Sequence, residues 1–280
     1  MTEKKEKNRE DFDNKIYDEI NIHSINIEDK KYSEGLEILK EGFKSFNIIY
    51  DDLMIKKLIV FYEMLVEKNK VMNLTGITEF KEVVIKHFLD SISIVKVCDE
   101  FLKIRECDSR DSYKVIDVGT GAGFPGIPLK IVFPELKITL LDSLNKRLVF
   151  LNEVIDRLAL DDIETVHGRC EELAKNKLYR EKFDYCVSRA VANLSSLNEL
   201  CLGFVKKNGV FVSYKGKNGD EEISEATKSI KLMGGKLKSK EYFKLANTDM
   251  ERVFIVIEKI ENTPARFPRK SGMPTKEPLG

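Results

Sequence analysis

The sequence predicts an α/β fold: a mainly parallel sheet that follows an N-terminal helical region and ends in antiparallel strands. Three observations carry that expectation. From Lys114 onward, short and nearly continuous apolar runs alternate with amphipathic segments, the pattern of strands buried on both faces by crossover helices. One of these runs enters closely spaced glycines and then a segment suited to begin a helix near Ile127 or Pro128. Two last apolar runs, about Leu237–Leu245 and Arg252–Glu258, come after Gly234-Gly235 and would pair antiparallel.

Taken in order, residues 1–31 read as a charged, flexible lead-in, with too few apolar side chains to offset the entropy of ordering. A helical region is expected over 32–106. Apolar residues recur at helical spacing from Gly35 to Phe46 and from Leu53 to Val66, where Met54, Leu58, Phe61, Tyr62 and Leu65 share a face. Asn73-Leu-Thr-Gly76 breaks the pattern, and a further helix over Glu79 to Val97 would carry His87 and Asp90 at i, i+3, on one face. Polar residues 107–112 read as a loop that opens the main domain, 107–260.

Within that domain Lys114–Val118, Lys137–Leu141, Ile163–Val166, Tyr185–Val187 and Val210–Tyr214 are the strand candidates. The clearest intervening helix is Asn145–Leu160, striped by Leu148, Leu151, Ile155 and Leu158; a second covers Ile223–Met233. Residues 261–280 form a basic tail with four of the seven prolines, which reads as no folding unit.

Composition narrows the function classes. The chain has 280 residues, 42% apolar and 34% charged, with 47 basic against 47 acidic side chains. A net charge of zero lacks the footprint of an avid nucleic-acid binder, so any polyanion must meet a local patch. No apolar run is long enough to span a membrane, and residues 1–20 hold twelve charges and no secretory pattern, so a cytoplasmic protein without membrane association is expected. Five cysteines without a C-x-x-C, and three scattered histidines, favour reduced thiols over a disulfide framework or a metal site.

The strongest local signal is Val115-Ile-Asp117-Val-Gly119-Thr-Gly121-Ala-Gly123-Phe124-Pro-Gly126. A strand that runs into such glycines lets a nucleotide-type cofactor lie against bare backbone. Two cofactor classes compete, because Gly121-Ala-Gly-Phe-Pro-Gly126 also satisfies the dinucleotide fingerprint. Asp117, two places before the first of three alternating glycines, resembles instead the first motif of S-adenosylmethionine-dependent methyltransferases. There the acidic side chain helps hold the methionine end. Asp142 ends the next strand about 20 residues on, where it would accept hydrogen bonds from ribose hydroxyls of either cofactor. Ordinary strand-end capping is the bland reading of both aspartates.

More of the chain carries a specific resemblance. Asn73-Leu-Thr-Gly-Ile77, His87-Phe-Leu-Asp-Ser91, the glycine turn, Leu141-Asp-Ser143 with Lys146-Arg147, Ser188-Arg-Ala-Val191 and Lys215-Gly216 occur in this order. Together with the tail, they resemble the bacterial 16S ribosomal RNA guanine-N7 methyltransferase family, also called glucose-inhibited division protein B, over about residues 33–280. Glu67-Lys-Asn69 stands where that family has a Trp-Asn pair, and the charged N-terminus lies outside its pattern. The resemblance implies a Rossmann-like class I methyltransferase sheet and S-adenosyl-L-methionine as cofactor, lined by Gly119, Gly121, Phe124, Asp142, Cys170, Glu171 and Arg189. It implies 16S rRNA or the small-subunit particle as partner, with no obligate protein partner evident and no metal. No catalytic residue is assigned.

The chemistry agrees with that blank. Guanine N7 offers an in-plane lone pair and no proton, so alignment and electrostatics carry the reaction without a general base. Carbon-5 methylation of pyrimidines generally uses a cysteine, often after proline, and no cysteine here follows one; adenine amino methylation commonly shows a Pro-Pro motif, also absent. Other readings stay open at this level. Cys170 reads more simply as packing than as a reactive thiol, and Arg189 as a surface ion-pair partner. His87 and Asp90 either border a substrate pocket or pin the helical region to the sheet. Lys215-Gly216 and the tail's Arg266, Arg269, Lys270 and Lys276 either meet RNA phosphate or are solvated. A nicotinamide-dependent oxidoreductase and a scaffold with a vestigial pocket are the competing functions.

Overall fold

The computed structural model describes residues 20–104, 112–189, 192–245 and 248–280. The first nineteen residues of the expected lead-in, most of the 107–112 loop, and Ala190-Val191 of the Ser188-Arg-Ala-Val191 motif lie outside the described residues.

Seven strands form one sheet: β1 Lys114–Val118, β2 Lys137–Asp142, β3 Ile163–His167, β4 Phe183–Ser188, β5 Val205–Lys215, β6 Gly235–Lys244 and β7 Glu251–Lys259. Their order is β3-β2-β1-β4-β5-β7-β6, with β1 to β5 parallel and β7 antiparallel to both β5 and β6. Each strand candidate falls on one of these strands; β5 starts earlier than expected, at Val205. Alternation along the strands feeds two cores, because successive side chains leave a strand on opposite faces. Val115, Leu140, Val187 and Val212 join the cluster that includes the N-terminal helices, while Ile116, Leu141, Cys186 and Phe211 join the cluster on the other face.

The first face is covered by helices Ser33–Ser45, Asp52–Met72, Gly126–Val132 and Asn145–Arg157, and the second by Leu194–Cys201 and Gly219–Leu232. Asp51 caps the long helix Asp52–Met72, its side chain accepting from Met54 N at 2.8 Å, and Asn73 in the left-handed conformation ends it. In the Glu67-Lys-Asn69 stretch Lys68 is buried and reaches Glu153 of helix Asn145–Arg157 at 3.3 Å, and Asn69 accepts from Thr75 N at 2.9 Å. The helical region thus docks on the sheet through a charge pair as well as through Phe61 against Phe124, ring centroids 5.2 Å apart.

Three expectations need revision. The helix over Glu79 to Val97 is broken: α-helical over Phe80–Val83, π-helical over Val84–Leu89, α-helical over Asp90–Ile92 and 3-10 over Ser93–Lys96. π turns cluster at functional sites, and this one carries Lys86 and His87. Residues 20–31, expected to be free, are turns whose Ile20, Ile22, Ile25 and Ile27 pack on the core, with Ile20 O accepting from Arg157 at 2.9 Å.

Nor is the tail free. Arg269 donates to Glu199 through its backbone N at 2.6 Å and its guanidinium at 2.7 Å, Phe267 is buried, and a short helix Met273–Lys276 lies against helix Leu194–Cys201. A fully buried carboxylate needs a partner, and Arg269 supplies it. That use takes Arg269 out of the group available to RNA; Arg266, Lys270 and Lys276 remain exposed.

No helix among the described residues is long and apolar enough to cross a membrane, and none of their His, Cys, Asp and Glu side chains form a group of three arranged to hold a metal ion.

Candidate functional site

In a sheet of this order the strand order reverses between β1 and β4, and ligands bind beyond the carboxyl ends of the parallel strands at such a switch point. A cleft of about 550 Å³ lies there. Gly119, Gly121, Phe124, Asp142, Cys170, Glu171 and Arg189 all line it, although they come from the ends of four different strands and the segments that follow them.

The glycine turn owes its shape to Asp117. That side chain is fully buried behind the turn, and its Oδ2 accepts from Thr120 Oγ1 at 2.7 Å and from Gly126 N at 2.9 Å. Burial pushes its carboxyl up to about 6, while the two hydrogen bonds pull the other way. Asp117 therefore holds the turn and the first N–H of helix Gly126–Val132 and is not on the cleft wall, where its motif role would place it. Gly126 has no room for a side chain, since a Cβ would stand 2.2 Å from Leu140. At Gly121 the requirement is different: φ is +61°, and a Cβ would meet only Gly119 O, at 3.9 Å, so the surface offered to a ligand there is bare backbone.

Asp142, at the end of β2, accepts from Gly121 N at 2.9 Å through Oδ2 and from Leu144 N at 2.8 Å through Oδ1, and Arg147 approaches Oδ2 at 3.3 Å. A carboxylate has about four acceptor positions, so capacity remains for a further donor. Glu171, buried at the head of the short helix Cys170–Leu173, accepts from Gly272 N at 2.7 Å and so ties the C-terminal segment to the cleft, which Gly272 and Thr275 also line. Burial raises the Cys170 thiol well above its ordinary range, the state of a packing residue rather than of a nucleophile. Replacing Cys170 by Ser should leave methyl-transfer turnover within about threefold of wild type, read by transfer of labelled methyl; a thiolate nucleophile would instead lose roughly a thousandfold or more.

Arg189 follows β4 and is held on several sides. Its Nη1 donates to Asp90 Oδ2 and to Lys86 O, both at 2.9 Å, its Nη2 donates to His87 Nδ1 at 3.2 Å, and its guanidinium lies 5.1 Å from the Phe124 ring centroid. His87 stacks on Phe124 at 4.4 Å and meets Thr75 Oγ1 through Nε2 at 2.9 Å. Burial, and then the arginine beside it, pull the imidazole down to about 3. Its Nδ1 faces both Arg189 Nη2, at 3.2 Å, and Lys86 O, at 3.1 Å. Both readings of His87 and Asp90 hold in part: Asp90 pins the helical region to the sheet through Arg189, and His87 borders the cleft. Lys215 meets neither of its readings, for it is buried, donates to Ala192 O at 2.6 Å and pairs with Glu222 at 2.7 Å.

Sequence reasoning missed Thr75, Arg147, Arg169, Gly272 and Thr275 as cleft residues. Thr75 and Arg147 sit inside motifs that were visible as patterns; nothing local marks Gly272, whose contact is made with a residue 101 positions away.

A 3-2-1-4-5-7-6 sheet with an antiparallel seventh strand, a glycine turn after β1 and an acidic residue closing β2 defines a class I S-adenosylmethionine-dependent methyltransferase. Comparison with known proteins narrows the class. The family model for rRNA small subunit methyltransferase G matches residues 54–251. Among curated relatives, the ribosomal RNA small subunit methyltransferase G of Lachnoclostridium phytofermentans is 48% identical over 85% of this chain and 95% of its own. Those of Alkaliphilus metalliredigens and Acetivibrio thermocellus are 46% and 48% identical, over 88% and 90% of this chain and 99% of each of theirs. The chain belongs to the family of rRNA small subunit methyltransferase G. Membership decides between the two cofactor classes that the glycine spacing left open. The cleft fits S-adenosylmethionine: open space over Gly121, spare acceptor capacity on Asp142 and the aromatic face of Phe124 suit a nucleoside joined to an amino-acid arm.

Proposed function

We infer that the protein transfers a methyl group from S-adenosylmethionine to N7 of one guanine in 16S rRNA of the small ribosomal subunit. The observation that carries this reading is the convergence of all seven motif residues on one cleft in a chain of that family. Bound there, S-adenosylmethionine supplies a methyl group on a positively charged sulfur, and methylation moves the positive charge to the purine ring.

The chain's own residues supply placement. Gly119 and Gly121 offer backbone, Asp142 accepts from ribose hydroxyls, and Glu171 fixes the C-terminal segment as one wall. Arg189, His87 and Phe124 brace one another at the opposite wall, so the reacting partners meet a rigid surface. N7 gives up no proton, and the side chains of the cleft suit a reaction without proton transfer: His87 is held neutral far below physiological pH and the Cys170 thiol is held protonated.

Nucleoside-resolved mass mapping of 16S rRNA from cells lacking the protein tests the reading. One N7-methylguanosine should be missing and should return with the wild-type gene; an unchanged set of modifications would refute it.

A further inference from the structure

A second hollow of about 270 Å³ opens beside the cleft and shares His87 and Arg189 with it. Ile77, Lys86, Tyr214, Gly216, Met250 and Arg252 also line it, with Asp90 and Lys215. Its volume falls below the roughly 300–1,000 Å³ of pockets for drug-sized ligands, which leaves room for one flat heterocycle and little more.

The charges around it do not balance. Asp90 is buried and accepts from two arginines at once, Arg189 Nη1 at 2.9 Å and Arg252 Nε at 3.0 Å. Lys86 is matched by Glu82 and Lys215 by Glu222, so one positive charge is left over where the hollow meets the cleft. His87 adds none, being neutral. Arg252 spends Nε on Asp90, whereas among the described residues its terminal nitrogens make one long bond, Nη1 to Glu251 O at 3.4 Å. A planar guanidinium presented this way matches a phosphate.

Half-buried Ile77 and Met250 add apolar surface to the same hollow. Gly216, at the end of β5, is exposed, and a Cβ there would meet nothing within 4 Å among the described residues, so the hollow is open on that side. A pocket that is small, partly apolar, positively charged and in contact with the methyl-donor cleft has the properties needed for one nucleotide extruded from its RNA.

We propose that this hollow receives the acceptor nucleotide: the guanine enters past Gly216 and lies against Ile77 and Met250 with N7 toward the cofactor cleft beside His87 and Arg189, and Arg252 holds its phosphate. The proposal rests on the rRNA-methyltransferase reading and adds to it the residues that select and seat the base.

Two variants test it, each with unmodified small-subunit rRNA and labelled S-adenosylmethionine, beside calorimetric titration with S-adenosylhomocysteine. Gly216→Trp fills the hollow from an exposed position; kcat/KM for RNA should fall about 100-fold or more while the affinity for S-adenosylhomocysteine stays within about twofold. Arg252→Gln should raise KM for RNA roughly tenfold and flatten the dependence of log KM on log salt by about one phosphate contact; because it also removes the Nε–Asp90 bond, the salt slope and not kcat is the readout specific to phosphate. Gly216→Trp activity within about threefold of wild type, or an Arg252→Gln salt slope equal to that of wild type, would overturn the proposal. Loss of S-adenosylhomocysteine binding in Gly216→Trp would overturn it too, by making the hollow part of the cofactor cleft. A wild-type enzyme that places no methyl on guanine N7 would instead remove the functional reading itself.

Discussion

Replacing Asp90 by Ala should lower the midpoint of thermal unfolding by roughly 6–12 °C, the largest stability effect expected of any single substitution near the cleft. The carboxylate is 3% exposed and binds two arginines that are themselves only 19% and 22% exposed. Removing the carboxylate that these two largely buried arginines share leaves both charges without it, at a cost of about 3 kcal/mol or more. For a chain of this size each kcal/mol moves the midpoint by roughly 2–4 °C. Asp99→Ala is the control, because Asp99 pairs with Lys103 in an exposed i, i+4 bridge and should leave the midpoint unchanged. A shift for Asp90→Ala no larger than that of the control would show that the Arg189–Asp90–Arg252 cluster does not hold the helical region to the sheet. Methyl transfer should fall as well, since Arg189 loses the partner that aims it.

Gly121→Val should weaken S-adenosylmethionine binding about 100-fold or more, read by titration calorimetry on the folded variant. Two effects add. A β-branched residue at φ +61° occupies a conformation that costs L residues roughly 1–2 kcal/mol. The side chain also enters open space on the cleft lining, because no described atom beyond its two chain neighbours stands nearer to the Cβ than 3.9 Å, so the chain can fold around it and the ligand cannot. A dissociation constant within about tenfold of wild type would mean that the ligand does not lie over Gly121.

How much of this was legible depended on the range of the interaction. The strands were readable because each is a short apolar run bounded by turn residues, and the glycine turn because its residue types are dictated locally by backbone conformation. The cleft residues were readable only through motifs, yet all seven converge. What escaped were pairings between distant parts of the chain. Arg269 looked like a solvated cation until Glu199, 70 residues away and fully buried, was found to hold it; the Glu171–Gly272 bond is of the same kind. Residues 20–27 looked disordered by composition because their four isoleucines are spaced without strand or helix period and dock as turns. The π turn at Val84–Leu89 left no mark in the apolar periodicity, although it carries two residues of the site.

The zero net charge also reads differently with the cleft in view. The cations near it are mostly committed: Arg189 and Arg252 to Asp90, Lys215 to Glu222, Arg147 beside Asp142. An enzyme that engages one nucleotide needs only the small positive excess that such pairing leaves.

The most direct measurement combines purified protein, S-adenosylmethionine labelled in its methyl group, and small-subunit rRNA prepared without modification, followed by nuclease digestion and identification of the labelled nucleoside. N7-methylguanosine from a single position is the predicted result. Label in any other nucleoside, or none where the protein binds NAD in place of S-adenosylmethionine, would contradict the account.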